Sequence, residues 1–126
     1  MPLTWFSKSE QPIIATINAN HITLNAPSIP LFDAIDSVRL GYDTSKSIIA
    51  IELLTRDQIE FCRYQEDELI SFHAQSSYVR INCTAFVDLL QETIEALKLK
   101  VLPIKLSSYY DENRKCIIIE LNKEAE

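Results

Sequence analysis

From residue 13 onward the chain alternates between short apolar runs and turn signals. Ile13–Ile17 is a β-branched run, and Asn18-Ala19-Asn20 is a turn signal. His21–Asn25 then alternates, with Ile22 and Leu24 on one face, so a hairpin is predicted. Ala26–Asp36 carries prolines at 27 and 30. Pro30 fits the first turn of a short helix in which Leu31, Phe32 and Ile35 form an apolar stripe. Ser37–Tyr42 alternates again through Val38, Leu40 and Tyr42. Asp43–Lys46 reads as a turn and Ser47–Leu54 as a strongly β-prone run. The order is strand, strand, short helix, strand, strand.

Thr55–Asp67 is more polar, and residues 59–64 can be read as either an extra strand or an irregular bridge. The same grammar then returns. Leu69–His73 matches the first strand, Ala74–Ser77 the turn, and Tyr78–Asn82 matches His21–Asn25. Thr84 is placed as an N-cap before a helix over Ala85–Lys100. There Phe86, Leu89, Leu90, Ile94 and Leu97 recur at helical spacing, with acidic residues early and lysines late. Ile104–Leu106 and Tyr109–Tyr110 lead into a last hairpin, and Lys123–Glu126 reads as a frayed tail.

The two halves also share wording. Tyr42–Leu53 reads YDTSKSIIAIEL and Tyr110–Leu121 reads YDENRKCIIIEL, identical at six of twelve positions without a gap. Ile49/Ile117, Ile51/Ile119 and Leu53/Leu121 become equivalent core contacts. The expected architecture is therefore α+β: two tandem β-β-α-β-β units, about 12–54 and 68–122, joined by a linker at 55–67, with one short and one longer helix in a single compact domain over 1–126.

A hairpin, a short helix and a second hairpin resemble the AbrB/MazE swapped-hairpin family, most closely over HITLNAPSIPLFDAIDSVRLGYDTSKSIIAIEL, residues 21–53. The MraZ family of transcriptional regulators is similar in its tandem arrangement. The resemblance implies two units that interleave their hairpins into one small barrel, and it implies DNA binding through arginines near the first hairpin and the short helix. This chain departs from that pattern. No Lys or Arg occurs from Ser9 to Val38, and Asp33 and Asp36 are followed four residues later by Ser37 and Leu40 rather than arginine.

Composition narrows the function. Twelve Lys and Arg stand against eighteen Asp and Glu, for a net charge of −6. That disfavours unspecific attraction to nucleic acid or anionic lipid. MPLTWFSKSEQ is too short and polar for a signal peptide, and no run nears the roughly 20 apolar residues of a membrane helix. A cytoplasmic protein is expected. Cys62, Cys83 and Cys116 are widely spaced and match no metal or CxxC pattern, so reduced, largely buried thiols are expected.

Candidate chemistry is sparse. His21 and His73 flank corresponding turns, and with a thiol such as Cys83 they can be imagined as metal ligands; half-exposed strand-end histidines are the plainer reading. Cys83 precedes the long helix, whose dipole can lower a thiol pKa. Glu66-Asp67-Glu68 and Asp111-Glu112 read as solvated turns. Gly41 is the one glycine, so no glycine-rich phosphate loop exists. Arg39, Lys46, Lys105, Arg114 and Lys115, interleaved with Tyr109 and Tyr110, form the best nucleic-acid patch. Trp5 and Phe6 stand out in a polar N-terminal segment as candidate partner contacts.

No cofactor is implied and no catalytic constellation is present in the pattern. The leading reading is a non-enzymatic interaction or regulatory module that binds a protein partner and can self-associate, because strand-rich units offer edges to other chains. The alternative is an AbrB-like DNA-binding regulator, and a third reading is a small enzyme with a spatially assembled His/Cys site.

Overall fold

The computed structural model describes residues 3, 12–62, 64–98 and 100–125. These residues form an α+β fold with eight antiparallel strands in one curled, barrel-like sheet and three α-helices. The strands are β1 (Ile13–Ile17), β2 (His21–Asn25), β3 (Ser37–Asp43), β4 (Ile48–Leu54), β5 (His73–Ala74), β6 (Tyr78–Asn82), β7 (Ile104–Asp111) and β8 (Cys116–Glu124). The helices are α1 (Arg56–Cys62), α2 (Thr84–Thr93) and α3 (Glu95–Lys98). Across the sheet the order is β3-β4-β8-β7-β1-β2-β6-β5.

This order interleaves the two halves of the chain. The β1–β2 hairpin lies between β7 and β6, both from the second half. The β3–β4 hairpin pairs with β8, and Val38 on its far side bridges Ile70. Neither hairpin of the first half pairs with the other. Apolar alternation explains the single buried face: Ile22, Leu24, Ile49, Ile51, Val79, Ile81, Ile117 and Ile119 are fully buried and belong to one core cluster drawn from both halves.

The repeated phrase folds the same way twice. Asp43 Oδ1 accepts hydrogen bonds from the N–H groups of Ser45 (2.9 Å) and Lys46 (3.2 Å). Asp111 Oδ1 accepts from Asn113 (3.0 Å) and Arg114 (3.3 Å). Both are Asx turns, in which the short carboxylate replaces a backbone acceptor. Equivalent residues differ by 57 in number at β2 and β6 (78 − 21) and by 68 at the last hairpins (110 − 42). The extra 11 residues (68 − 57) lie between those strands, where the second half holds α2 and α3 and the first a single short helix.

Several elements differ from the sequence reading. The short helix is a 3-10 helix over Ala26–Phe32, with prolines both near its start and inside; the tighter winding and its Pro content go together, since Pro lacks the donor an α-turn needs. Residues 59–62, read as a possible strand or irregular bridge, are helical, because α1 runs through Cys62. The first strand of the second half is cut to His73–Ala74 plus the Ile70 bridge. Cys83, not Thr84, is the N-cap of α2, and it makes no side-chain cap bond. The long helix breaks at Ile94 (φ −102°, ψ 116°) into α2 and α3. Its buried stripe is Val87, Leu90, Ile94 and Leu97, whereas Leu89 is 41% exposed. No helix among the described residues is long and apolar enough to cross a membrane.

Candidate partner-binding groove

An antiparallel strand presents its backbone groups to alternate sides, residue by residue. Val38 in β3 exchanges two hydrogen bonds with Ile70, N–H to O at 2.9 Å and O from N–H at 2.8 Å. Leu40 and Tyr42 turn their N–H and C=O groups to the same side, and no described strand pairs with them there. The equivalent edge of β7 is different. There β1 covers the strand from Ile104 to Ser108, with Ser108 opposite Ile13. Ser108 corresponds to Leu40, so the erosion of β5 leaves open in the first half what β1 fills in the second.

The open edge forms the floor of a groove of about 610 Å³ whose lining includes Leu40, Gly41, Glu68, Ile70 and Phe86. Phe86 of α2 is one wall, its ring 6.3 Å from that of Tyr42. Gly41 is set opposite Ala50 in the sheet, and nothing lies within 4 Å of where a Cβ would project. Its equivalent in β7 is Tyr109. A glycine in a strand weakens it without packing return and suits a place where another backbone draws close.

The opposite wall is acidic. Arg39 is pinned, with Nε 3.0 Å from Glu52 Oε1 and Nη1 3.4 Å from Glu68 Oε2. Its guanidinium also lies 4.7 Å from the centre of the Tyr64 ring. Burial works against the Arg39 charge, but Glu52, Glu68 and Tyr64 together outweigh it and the pKa is raised. Asp67 lines the same groove. Three carboxylates and one guanidinium therefore line the groove, which leaves this wall net negative.

The five cations picked out as a nucleic-acid patch divide between the two ends of the sheet, with Arg39, across β4 from Cys116, toward the end of Arg114 and Lys115, and Lys46 and Lys105 toward the other. Arg39 is taken up by the carboxylates just described. Lys46 sits on the β3–β4 turn and Arg114 and Lys115 on the β7–β8 turn. Because β4 and β8 are antiparallel, with Ile48 opposite Glu120 and Glu52 opposite Cys116, those turns lie at opposite ends of the pair. Arg114 further approaches Asp111 at 3.8 Å. Lys105 lies at the other end of β7 from Arg114, opposite Thr16. Charge spacing along a sequence does not reveal which end of a strand pair each turn occupies. Trp5 and Phe6 lie outside the described residues.

The remaining candidates are dispersed. His21 stands opposite Asn82 and His73 opposite Arg80, on the two strands that flank β6. Among the described residues no three His, Cys, Asp or Glu side chains are placed to hold a metal. Cys83 is buried and donates its S–H to the Ile81 carbonyl at 3.4 Å. Burial pushes its thiol up to about 11, the reverse of what a helix N-terminus alone would do. The open edge of β3 was missed by sequence reasoning; the available signal was the lone glycine within a strand whose repeat partner carries tyrosine.

No family model, no curated protein and no solved structure matches this chain.

Proposed function

We propose that this chain is a non-enzymatic protein-binding module that takes up an extended segment of its partner at the free edge of β3. The observation that carries the reading is that Leu40 and Tyr42 have no backbone partner on their outer side among the described residues, beside a groove lined by Gly41. Unpaired strand edges are templates for an added strand, whose main-chain bonds supply affinity and whose alternate side chains supply specificity. Here those side chains meet Leu40, Ile70 and Phe86 on one side. A Lys or Arg on the visiting strand meets Asp67 and Glu68 on the other. The interleaved pairing of the two halves supports a tandem swapped-hairpin-like core as the scaffold that holds this edge in place.

Selection of short random peptides against the protein tests the reading. Selected peptides should be enriched in β-prone residues flanking a Lys or Arg. They should slow hydrogen exchange at the Leu40 and Tyr42 amides, which exchange fast in the free protein. Gly41→Trp should abolish binding, while Gly41→Ala, whose Cβ meets nothing within 4 Å, should fold as the parent does. Peptides that bind without protecting those two amides would sink the proposal.

A further inference from the structure

We propose that the outer face of β7, β1, β2 and β6 holds a phosphate group through Arg80 and Lys105, independently of the β3 edge. Registers place these residues in one lateral row. Lys105 is opposite Thr16, Thr16 opposite Thr23, Thr23 opposite Arg80, and Arg80 opposite His73. Residues directly opposite one another point to the same side of a sheet. Their strand neighbours Ala15, Ile17, Ile22, Leu24, Val79 and Ile81 are buried in the core, so this row points outward. At a strand spacing of about 4.8 Å, Lys105 and Arg80 are about 14 Å apart at the backbone. Both line one shallow groove of about 430 Å³, with Thr16 and Thr23 between them and Asn25 and Tyr78 beside them.

Charge sets this face apart from the rest of the molecule. The chain carries −6 overall, yet β1, β2, β5 and β6 contain no carboxylate. The single one of β7, Asp111, is at the far end of that strand and approaches Arg114. Among the described residues neither Arg80 nor Lys105 takes part in an ion pair. Arg80 Nε–H donates to Asn82 Oδ1 at 2.9 Å. That bond steadies the guanidinium and leaves its terminal N–H groups for a ligand. The pseudo-equivalent residues in the first half are Thr23 and Ser37, so both cations belong to what the repeat did not copy.

The donor set selects among anions. Two cations flank two hydroxyls, which matches a phosphate with a charge of about −1.5 to −2 and three strong acceptor oxygens. A single carboxylate has half that charge and two oxygens. Nucleic acid fits less well. Two cations on a single strand give a salt slope of only about 1.4, whereas firm binders make about 6–10 phosphate contacts. A free phosphate and a phosphorylated side chain present the same oxygens, and a titration can tell them apart.

The test is an amide-shift titration of the intact protein with inorganic phosphate and, separately, with a short phosphoserine peptide, each against sodium chloride at matched ionic strength. Saturable shifts should be confined to residues 14–16, 23–25, 78–80 and 105. Arg80→Gln and Lys105→Gln should each weaken binding about tenfold or more, as expected for a lost charge-assisted hydrogen bond, while Lys46→Gln should leave it unchanged. A tighter peptide assigns the site to a phosphorylated segment, and equal affinities assign it to free phosphate. The proposal is overturned by shifts that chloride reproduces, by equal loss in Lys46→Gln, or by preferred binding of an oligonucleotide with a steep salt slope.

Discussion

Ser47 and Lys115 are pseudo-equivalent residues that share a left-handed backbone, with φ of 53° and 54°. Each also offers its carbonyl across the β4–β8 boundary. Leu121 N–H donates to Ser47 O and Leu53 N–H to Lys115 O, both at 3.0 Å. The reciprocity means that one turn geometry serves two purposes. It closes its own hairpin after an Asx turn, and it aims a carbonyl at the partner hairpin. A side chain at positive φ costs about 1–2 kcal/mol that glycine does not incur.

Ser47→Gly and Lys115→Gly should therefore each stabilise the protein, by about 0.5–1 kcal/mol once the greater freedom of glycine in the unfolded chain is subtracted. The two gains should be similar, because the two sites have the same geometry. Urea denaturation checks this as a rise in midpoint at unchanged slope. Destabilisation at either site would show that its side chain, rather than its backbone, holds the turn.

The elements most visible in the sequence are those whose side chains alone decide them. Ile49, Ile51, Leu53 and their partners Ile117, Ile119 and Leu121 alternate in type, and all six are buried. The two Asp-led turns are equally legible, since Asx chemistry is local. What was not legible depends on long-range pairing. Whether β3 ends at a neighbour or at open space is decided by Ile70, 32 residues beyond Val38 (70 − 38). Of the expected stripe, Leu90, Ile94 and Leu97 are buried and Phe86 packs against the core; Leu89 alone is exposed, and because its neighbours are all apolar only tertiary packing selects Val87 in its place. The placement of the cations is hidden for a similar reason: strand direction, not spacing, separates Lys46 from Arg114.

The three thiols should differ in reactivity. Cys62 is exposed at the end of α1, whereas Cys83 and Cys116 are buried. Burial raises both of the latter, Cys83 to about 11. Since the thiolate is the nucleophile, a thiol reagent at neutral pH should consume one equivalent quickly and two slowly. Cys62→Ser should remove the fast phase alone. A fast phase that survives that change would place a reactive thiol inside the fold.

His21 gives the pH dependence a sign. Burial, followed by the nearby Arg80 cation, lowers its pKa below the ordinary 6.5. The unfolded chain then takes up a proton before the folded one does. Above about pH 7 both forms are neutral and His21 contributes nothing. As pH falls through 6.5 the unfolded state gains, and the loss of stability is complete only below the lowered folded value. His21→Gln should flatten this part of the curve, so that its stability relative to the parent rises between pH 7 and pH 5. Arg80→Gln should raise the His21 pKa only part of the way, because burial is the larger cause. Histidine ring shifts followed by NMR, together with urea midpoints at the two pH values, check both statements. A parent and a His21→Gln variant that fall in parallel would contradict them.

Cleavage of the linker should leave the fold assembled. Helix α1 buries none of its residues, and Phe61 within it is 90% exposed. A short helix with no packed face opens locally at little cost, so an aromatic-specific protease should cut there first. The cut breaks the covalent connection between the halves in the stretch that joins β4 to β5. Their association rests instead on three strand pairings, β1 with β7, β2 with β6 and β4 with β8, each with five opposed residue pairs. Neither half retains a sheet of its own beyond isolated hairpins, and a lone hairpin is marginal in water. The nicked protein should accordingly migrate as one particle under native conditions and separate into two chains only in denaturant. It should then reassemble in a concentration-dependent way when the denaturant is removed. Halves that part on cleavage without denaturant would mean that the linker, and not the interleaved strands, holds the molecule together.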